Sequence, residues 1–123
     1  MKTRILTIFI LIFVTSSFSF SLISHSLLPT SLKIKVVNSK SESMQDVTVT
    51  LYGTEKAYRA GQNPLFESKK TDKHGLVVFK KLKPEAYYIH AVKGNASNMG
   101  EKVLTDALKE GRINKVTTLI SHD

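Results

Sequence analysis

The chain has 123 residues, which allows one small domain, and it carries 18 lysine and arginine residues against 10 aspartate and glutamate residues. It contains no cysteine, and this excludes disulfides, thiolate metal sites, cysteine nucleophiles and a lipid anchor attached to cysteine. The formal net charge of +8 favours anionic partners over cationic ones.

The first 21 residues have the layout of a secretory signal peptide. Lys2 and Arg4 supply a positive start, residues 5–14 are almost wholly apolar, and a serine-rich segment follows. The apolar run is shorter than the roughly 20 residues that a membrane-spanning helix needs. We therefore predict cleavage after Ser19 or Ser21, export to the periplasm or the extracellular space, and no stable membrane span afterwards. An uncleaved signal anchor is the alternative.

Residues 22–31 are predicted to form a short leader, and a domain follows over residues 32–120. In that domain apolar and polar residues alternate with a period of two, which is typical of strands with one buried face. The predicted strands are LKIKVV (32–37), DVTVTLY (46–52), LFESKKT (65–71), LVVFKKL (76–82), YYIHAVK (87–93), KVLTDAL (102–108) and KVTTLI (115–120). Segments 65–71 and 102–108 are weak, and 102–108 fits a helical turn as well as a strand.

The residues between these segments agree with an all-β fold. All six glycines lie there, where turns require a positive φ. No segment after the signal peptide shows the sustained period of 3.6 that is typical of helices. Seven short strands with frequent turns predict a mainly antiparallel, seven-stranded, immunoglobulin-like (Ig-like) β-sandwich.

The segment TDKHG (71–75) is predicted to be a tight turn between two strands. The Asp72 side chain can accept hydrogen bonds from backbone N–H groups ahead of it, and Gly75 can adopt the left-handed conformation that closes the turn. Val77 and Phe79 then point into the core, and Leu82 fills one end of it. Each residue has a packing or turning role, so this segment is scaffold and not a binding site.

Eight residues have a spacing that resembles the signature of the carboxypeptidase regulatory-like domains: Thr71, Asp72, Gly75, Val77, Phe79, Leu82, Pro84 and Tyr87. These domains are relatives of the Cna B-type and transthyretin-like (prealbumin-like) sandwiches. The resemblance covers residues 32–120 and implies a prealbumin-like fold and an accessory module found beside enzymes or in surface proteins. Glu85 departs from the family, which usually has glycine after the proline, and we expect a different turn there.

The resemblance also raises the question of an internal amide bond. Cna B-type domains often join a first-strand lysine to a last-strand Asn or Asp with the help of a buried glutamate. Lys33 or Lys35 and Asn114 are the matching positions, but the predicted strand 87–93 contains no acidic residue. Both lysines also alternate with core residues and therefore face away from the core, so we predict no cross-link.

The sequence offers no catalytic site, metal site or cofactor site. Its four histidines form no pattern of metal ligands, and there is no Gly-x-Ser-x-Gly nucleophile elbow. The C-terminal TTLISHD lacks the Tyr-Arg-Gly-Ser motif of the transthyretin-like enzymes that hydrolyse a urate-derived ring. We predict a non-enzymatic protein. A small hydrolase, the weakest alternative, would need His and acidic side chains that converge in a pocket.

Positive charge is predicted to collect at one end of the sandwich. Strands of alternating direction place the connections 53–64, 80–86 and 109–114 at the same end, and loops there are a frequent binding location. The candidate binding residues are Tyr58, Arg59, Lys81, Lys83, Lys109 and Arg112. The predicted partner is an anionic glycan, an anionic lipid or another envelope protein. Nucleic acid is not expected, because an exported protein seldom meets it.

Two functions remain open at this point. The first is a secreted or periplasmic module with a binding or structural role at the cell envelope. The alternative is a subunit of a larger surface assembly that docks by strand addition. Lysines along a sheet edge would oppose strand addition, because charge is one means by which edges avoid pairing.

Overall fold

The computed structural model describes residues 28–122. The predicted signal peptide and the first six residues of the predicted leader lie outside this range. The elements are β1 (Ser31–Val37), β2 (Thr48–Tyr52), α1 (Glu55–Ala60), β3 (Lys69–Lys70), β4 (Leu76–Phe79), β5 (Tyr88–Lys93), β6 (Ala96–Ser97), β7 (Ile113–Leu119) and β8 (Ser121–His122). No helix in residues 28–122 has the length and apolar composition needed to cross a membrane.

Two sheets enclose one hydrophobic core. The first has the order β4-β1-β7 and the second the order β3-β2-β5-β6-β8. All pairs are antiparallel except β1 and β7, which run parallel. The inward residues of the central strands, such as Leu32 and Ile34 in β1 and Val49 and Leu51 in β2, are fully buried. This arrangement confirms the predicted all-β, Ig-like sandwich.

Six of the seven predicted strand segments contain a strand, and segment 102–108 does not. That segment runs beside β5 and makes a single bridge, between Leu104 and Tyr88. The Thr105 hydroxyl accepts a hydrogen bond from the Tyr87 N–H (3.0 Å) and takes a place that a backbone carbonyl would have in a regular ladder. Segment 65–71 shortens to the two residues of β3, and the short strands β6 and β8 were not predicted.

One short helix, α1 (Glu55–Ala60), follows β2 and was not predicted. The Thr54 hydroxyl caps its first turn by accepting from the Ala57 N–H (3.1 Å), and Gly61 ends it with a φ of 63°. Arg59 and Glu55 form an ion pair of 2.6 Å one turn apart. Six residues are too few for a 3.6-residue period to stand out, so only the capping residues could have indicated this helix.

The turn before β4 has the predicted construction. Asp72 Oδ1 accepts from the N–H groups of His74 (2.8 Å) and Leu76 (3.0 Å), and these two bonds lower the pKa of that carboxyl group. Gly75 has a φ of 75°, so the left-handed conformation is confirmed. Val77 and Phe79 are buried, as predicted.

Candidate functional site

Four of the six candidate binding residues lie in two turns at one end of the sandwich: Lys81, Lys83, Lys109 and Arg112. All four are exposed. Thr30 joins the two turns, because its carbonyl accepts from the Leu82 N–H and its hydroxyl accepts from the Gly111 N–H, both at 2.9 Å. The structure therefore brings these four side chains to one region, and anion binding there stays a prediction.

The other two candidates, Tyr58 and Arg59, lie on α1, which folds back over the outer face of the five-stranded sheet. The Tyr58 ring stacks on Tyr88 at a centroid distance of 5.7 Å and meets the edges of Tyr52 and His90 at 6.0 and 6.3 Å. Burial raises the pKa of Tyr58 and lowers the pKa of His90. The half-buried Tyr58 ring thus packs α1 against the sheet.

A groove of about 500 Å³ separates α1 from residues 99–103. Tyr52, Tyr58 and His90 line its floor, and Met99 and Glu101 line one wall. Within residues 28–122, no three His or acidic side chains converge on a possible metal position. The Tyr58 ring lies against His90, so the floor of the groove is mainly aromatic surface.

Of the four sheet edges that residues 28–122 form, three are blocked or short. On β4, the Leu76 N–H donates to Asp72 Oδ1 (3.0 Å), and the Leu76 carbonyl accepts from the Asp72 N–H (3.0 Å). The Val78 carbonyl accepts from Lys69 Nζ (2.8 Å), whose ammonium also lies 5.2 Å from the centre of the Phe79 ring. The other two, β3 and β8, have two residues each, and both residues of β3 are lysines. Short length and charge are common protections of an edge.

The edge of β7 differs from the other three. Among the described residues, β1 is its only neighbour in the sheet. The Ser31 N–H donates to the Arg112 carbonyl (3.1 Å), and the Ile120 N–H donates to the Val37 carbonyl (2.9 Å). Backbone groups of successive residues point to opposite sides of a strand. Even-numbered residues from 112 to 120 therefore face β1.

The odd-numbered residues of β7 face away from β1, and we call them the free β7 edge: Ile113, Lys115, Thr117 and Leu119. Within residues 28–122 no hydrogen bond reaches their backbone N–H and C=O groups from any other element. Their side chains point to the outer face of the three-stranded sheet, since Val116 packs on the core and Thr118 is buried. Only one of the four is charged.

Sequence reasoning missed both this edge and the side chain that supports β7 from inside. Asn98 is fully buried, accepts from the Ala91 N–H (3.0 Å) through Oδ1, and donates through Nδ2 to the Ile89 carbonyl (2.9 Å) and the Thr118 hydroxyl (3.2 Å). It thus links β5 in one sheet to β7 in the other. Nothing in the local sequence NASNMG distinguishes it from an exposed turn residue.

The residues considered above for an internal amide bond make other contacts in the structure. The Asn114 carboxamide donates to the Ser31 carbonyl (3.1 Å) and accepts from the Lys109 N–H (2.9 Å). Lys33 and Lys35 are on the outer face of β1, on the side opposite Ile34 and Val36. The absence of the cross-link remains a prediction.

No protein-family model and no curated protein sequence matches the chain. Among solved structures, it is similar to BcpA, the major pilin subunit of Bacillus cereus, with a TM-score of 0.54 and 12% identity over 78% of this chain and 31% of the pilin. It is also similar to a streptococcal ancillary pilin, with a TM-score of 0.57 and 14% identity over 76% and 32% of the two chains. The chain spans about a third of the length of these pilins. At such low identity the likeness establishes a shared β-sandwich fold.

Proposed function

We propose that this protein is a non-enzymatic β-sandwich module of an exported surface assembly and that it docks on a neighbouring protein of that assembly by strand addition at the free β7 edge. The observation that carries the proposal is the contrast between this edge and the others. The edge strands β3 and β8 have two residues each. The side chains of Asp72 and Lys69 hydrogen-bond to the edge of β4. Strand β7 has seven residues, and its outward positions include one lysine.

The chemistry of the free β7 edge suits a strand better than a small ligand. Four residues offer four N–H donors and four C=O acceptors in a row, and an extended chain is the partner that satisfies such a row. The side chains of Ile113 and Leu119 add apolar surface at the two ends. The likeness to two pilins supports a surface role, because both of those proteins are described as pilins and have the same kind of sandwich.

Strand addition has more structural support than the binding of an anion at the basic turns. The four basic side chains there are exposed, and none of them lines the grooves described in residues 28–122. Exposed lysines and arginines with such surroundings are common on solvated surfaces. The anionic partner therefore remains a second hypothesis, and the edge carries the proposal.

Site-specific photo-crosslinking in the producing cells tests this function. A photoreactive residue at Thr117 should give covalent adducts of higher mass in the envelope fraction, because this side chain lies on the free β7 edge. The matched control is Val78, which occupies the corresponding outer position on the blocked edge strand β4 and should give none. Adducts of equal yield from both positions, or none from Thr117 in exported chains, would contradict the proposal.

A further inference from the structure

We propose that the occupant of the free β7 edge is β7 of a second copy of this chain, paired antiparallel about a two-fold axis at Val116. This inference rests on the proposed function, since it names the partner that the free β7 edge accepts. The result would be one continuous six-stranded sheet with the order β4-β1-β7-β7-β1-β4. A two-fold contact of this kind uses the same surface on both copies.

The register follows from which backbone groups are free. In an antiparallel pair, the two residues of a hydrogen-bonded pair exchange both of their bonds, so outward residues must face outward residues. A register centred on Val116 uses all four, with Ile113 opposite Leu119 and Lys115 opposite Thr117. A register centred on residue 115 leaves Leu119 unpaired and places lysine opposite lysine. A register centred on residue 117 leaves Ile113 unpaired.

The side chains fit the register centred on Val116. Ile113, which is 61% exposed, meets Leu119 of the second copy, so an apolar pair forms at each end of the contact. Val116 is partly buried against the core and borders a gap of about 270 Å³ that residues 102–106 close on the other side. At the axis the two Val116 residues form a non-hydrogen-bonded pair, the closer type, with Cα atoms about 4.5 Å apart. This contact would cover apolar surface that the single chain leaves partly open.

The charges limit the strength of this contact without forbidding it. Lys115 lies beside Lys33 in the β1–β7 register, and Lys35 follows on the same outer face. Across the axis the two Lys115 residues are diagonal neighbours, roughly 7–8 Å apart at Cα. Their repulsion is screened at distances of about 8 Å in physiological salt. Association of the two copies is therefore expected to become stronger as the salt concentration rises.

A charge-exchange experiment on the full exported chain tests both the partner and the register. Thr117→Lys places lysine directly opposite Lys115 at two symmetry-related positions and should weaken the dimer about two- to thirtyfold in Kd. Adding Lys115→Glu in the same chain converts both pairs to opposite charges and should restore the dimer. The control Thr48→Lys makes the same substitution on the outer face of the other sheet and should leave Kd unchanged. Sedimentation equilibrium measures Kd, and circular dichroism verifies folding.

Each outcome decides the inference. Weakening by Thr117→Lys with rescue by Lys115→Glu supports the two-fold register. A parent that stays monomeric at high protein and salt concentrations overturns it, and so does a folded Thr117→Lys variant that associates like the parent, or a double variant without rescue. If the parent is monomeric but still gives Thr117 adducts with another envelope protein, the self-pairing fails and the proposed function stands. A dimer in solution without any envelope adduct from Thr117 would support the self-pairing and contradict the proposed function.

Discussion

Gly75 shows how one residue fixes a turn. A Cβ atom at this position would lie 2.8 Å from the Val36 carbonyl oxygen and 3.0 Å from the Met44 nitrogen, both of which belong to the backbone. The Gly75 carbonyl also accepts from the Val36 N–H (2.8 Å), so the turn is joined directly to β1. Neither neighbour can move without disturbing that strand.

Replacing Gly75 by valine should therefore lower the free energy of unfolding by about 1–3 kcal/mol from the positive φ alone, with a further loss from the contacts. Urea denaturation measures the change. Gly94→Val is the control, because Gly94 has a φ of 59° but nothing within 4 Å of an added Cβ. A Gly75→Val variant that is no less stable than the Gly94 variant would refute the role of the close contacts.

The roles of single residues were predictable where their partners are near in sequence and not where the partners are distant. Asp72 could be assigned from the sequence because the N–H groups that it accepts from lie within four residues, and Gly75 because it closes the same local turn. Asn98 could not, because one of its partners, Thr118, lies 20 residues away and the others lie in β5. A buried amide of this type is visible only when the sheets are assembled.

The connection between β5 and β7 depends on that same side chain. Asn98→Ala leaves the Ala91 N–H and the Ile89 carbonyl without the bonds that the carboxamide supplies, and an unsatisfied buried group costs roughly 1–3 kcal/mol. We expect a loss of about 2–4 kcal/mol in the free energy of unfolding. Asn95→Ala, in the exposed part of the same connection, should change it by less than about 0.5 kcal/mol. Denaturation curves in which both variants match the parent would rule out this bridging role.

The strands were more predictable than the segments between them. Alternation identified β1, β2, β4 and β5, because each has one face on the core. Helix α1 was not predicted, because a contact between residues distant in sequence holds it on the sheet: Tyr58 packs on Tyr88, 30 positions later. Segment 102–108 has strand-like residues but uses a threonine hydroxyl where a ladder would need a backbone carbonyl.

For the whole molecule, the sequence predicted the sandwich but not its exposed edge. Residues 113–119 read as the closing strand of the domain, yet which side of that strand is free depends on its parallel pairing with β1. That pairing joins residues about 80 positions apart, so no local sequence pattern indicates it. The basic turns show the converse case, since sequence order and alternating strand directions were sufficient to group Lys81 and Lys83 with Lys109 and Arg112.

The central claim is that one edge of β7 is open in the single chain and closed in the assembly. Amide hydrogen exchange, followed residue by residue, tests it directly. In dilute protein the amides of Lys115 and Thr117 should exchange fast, while those of Val116 and Thr118, which face β1, stay protected. At concentrations where the chain associates, Lys115 and Thr117 should become protected as well. Slow exchange of these two amides in the dilute monomer, or fast exchange in the associated form, would contradict the account.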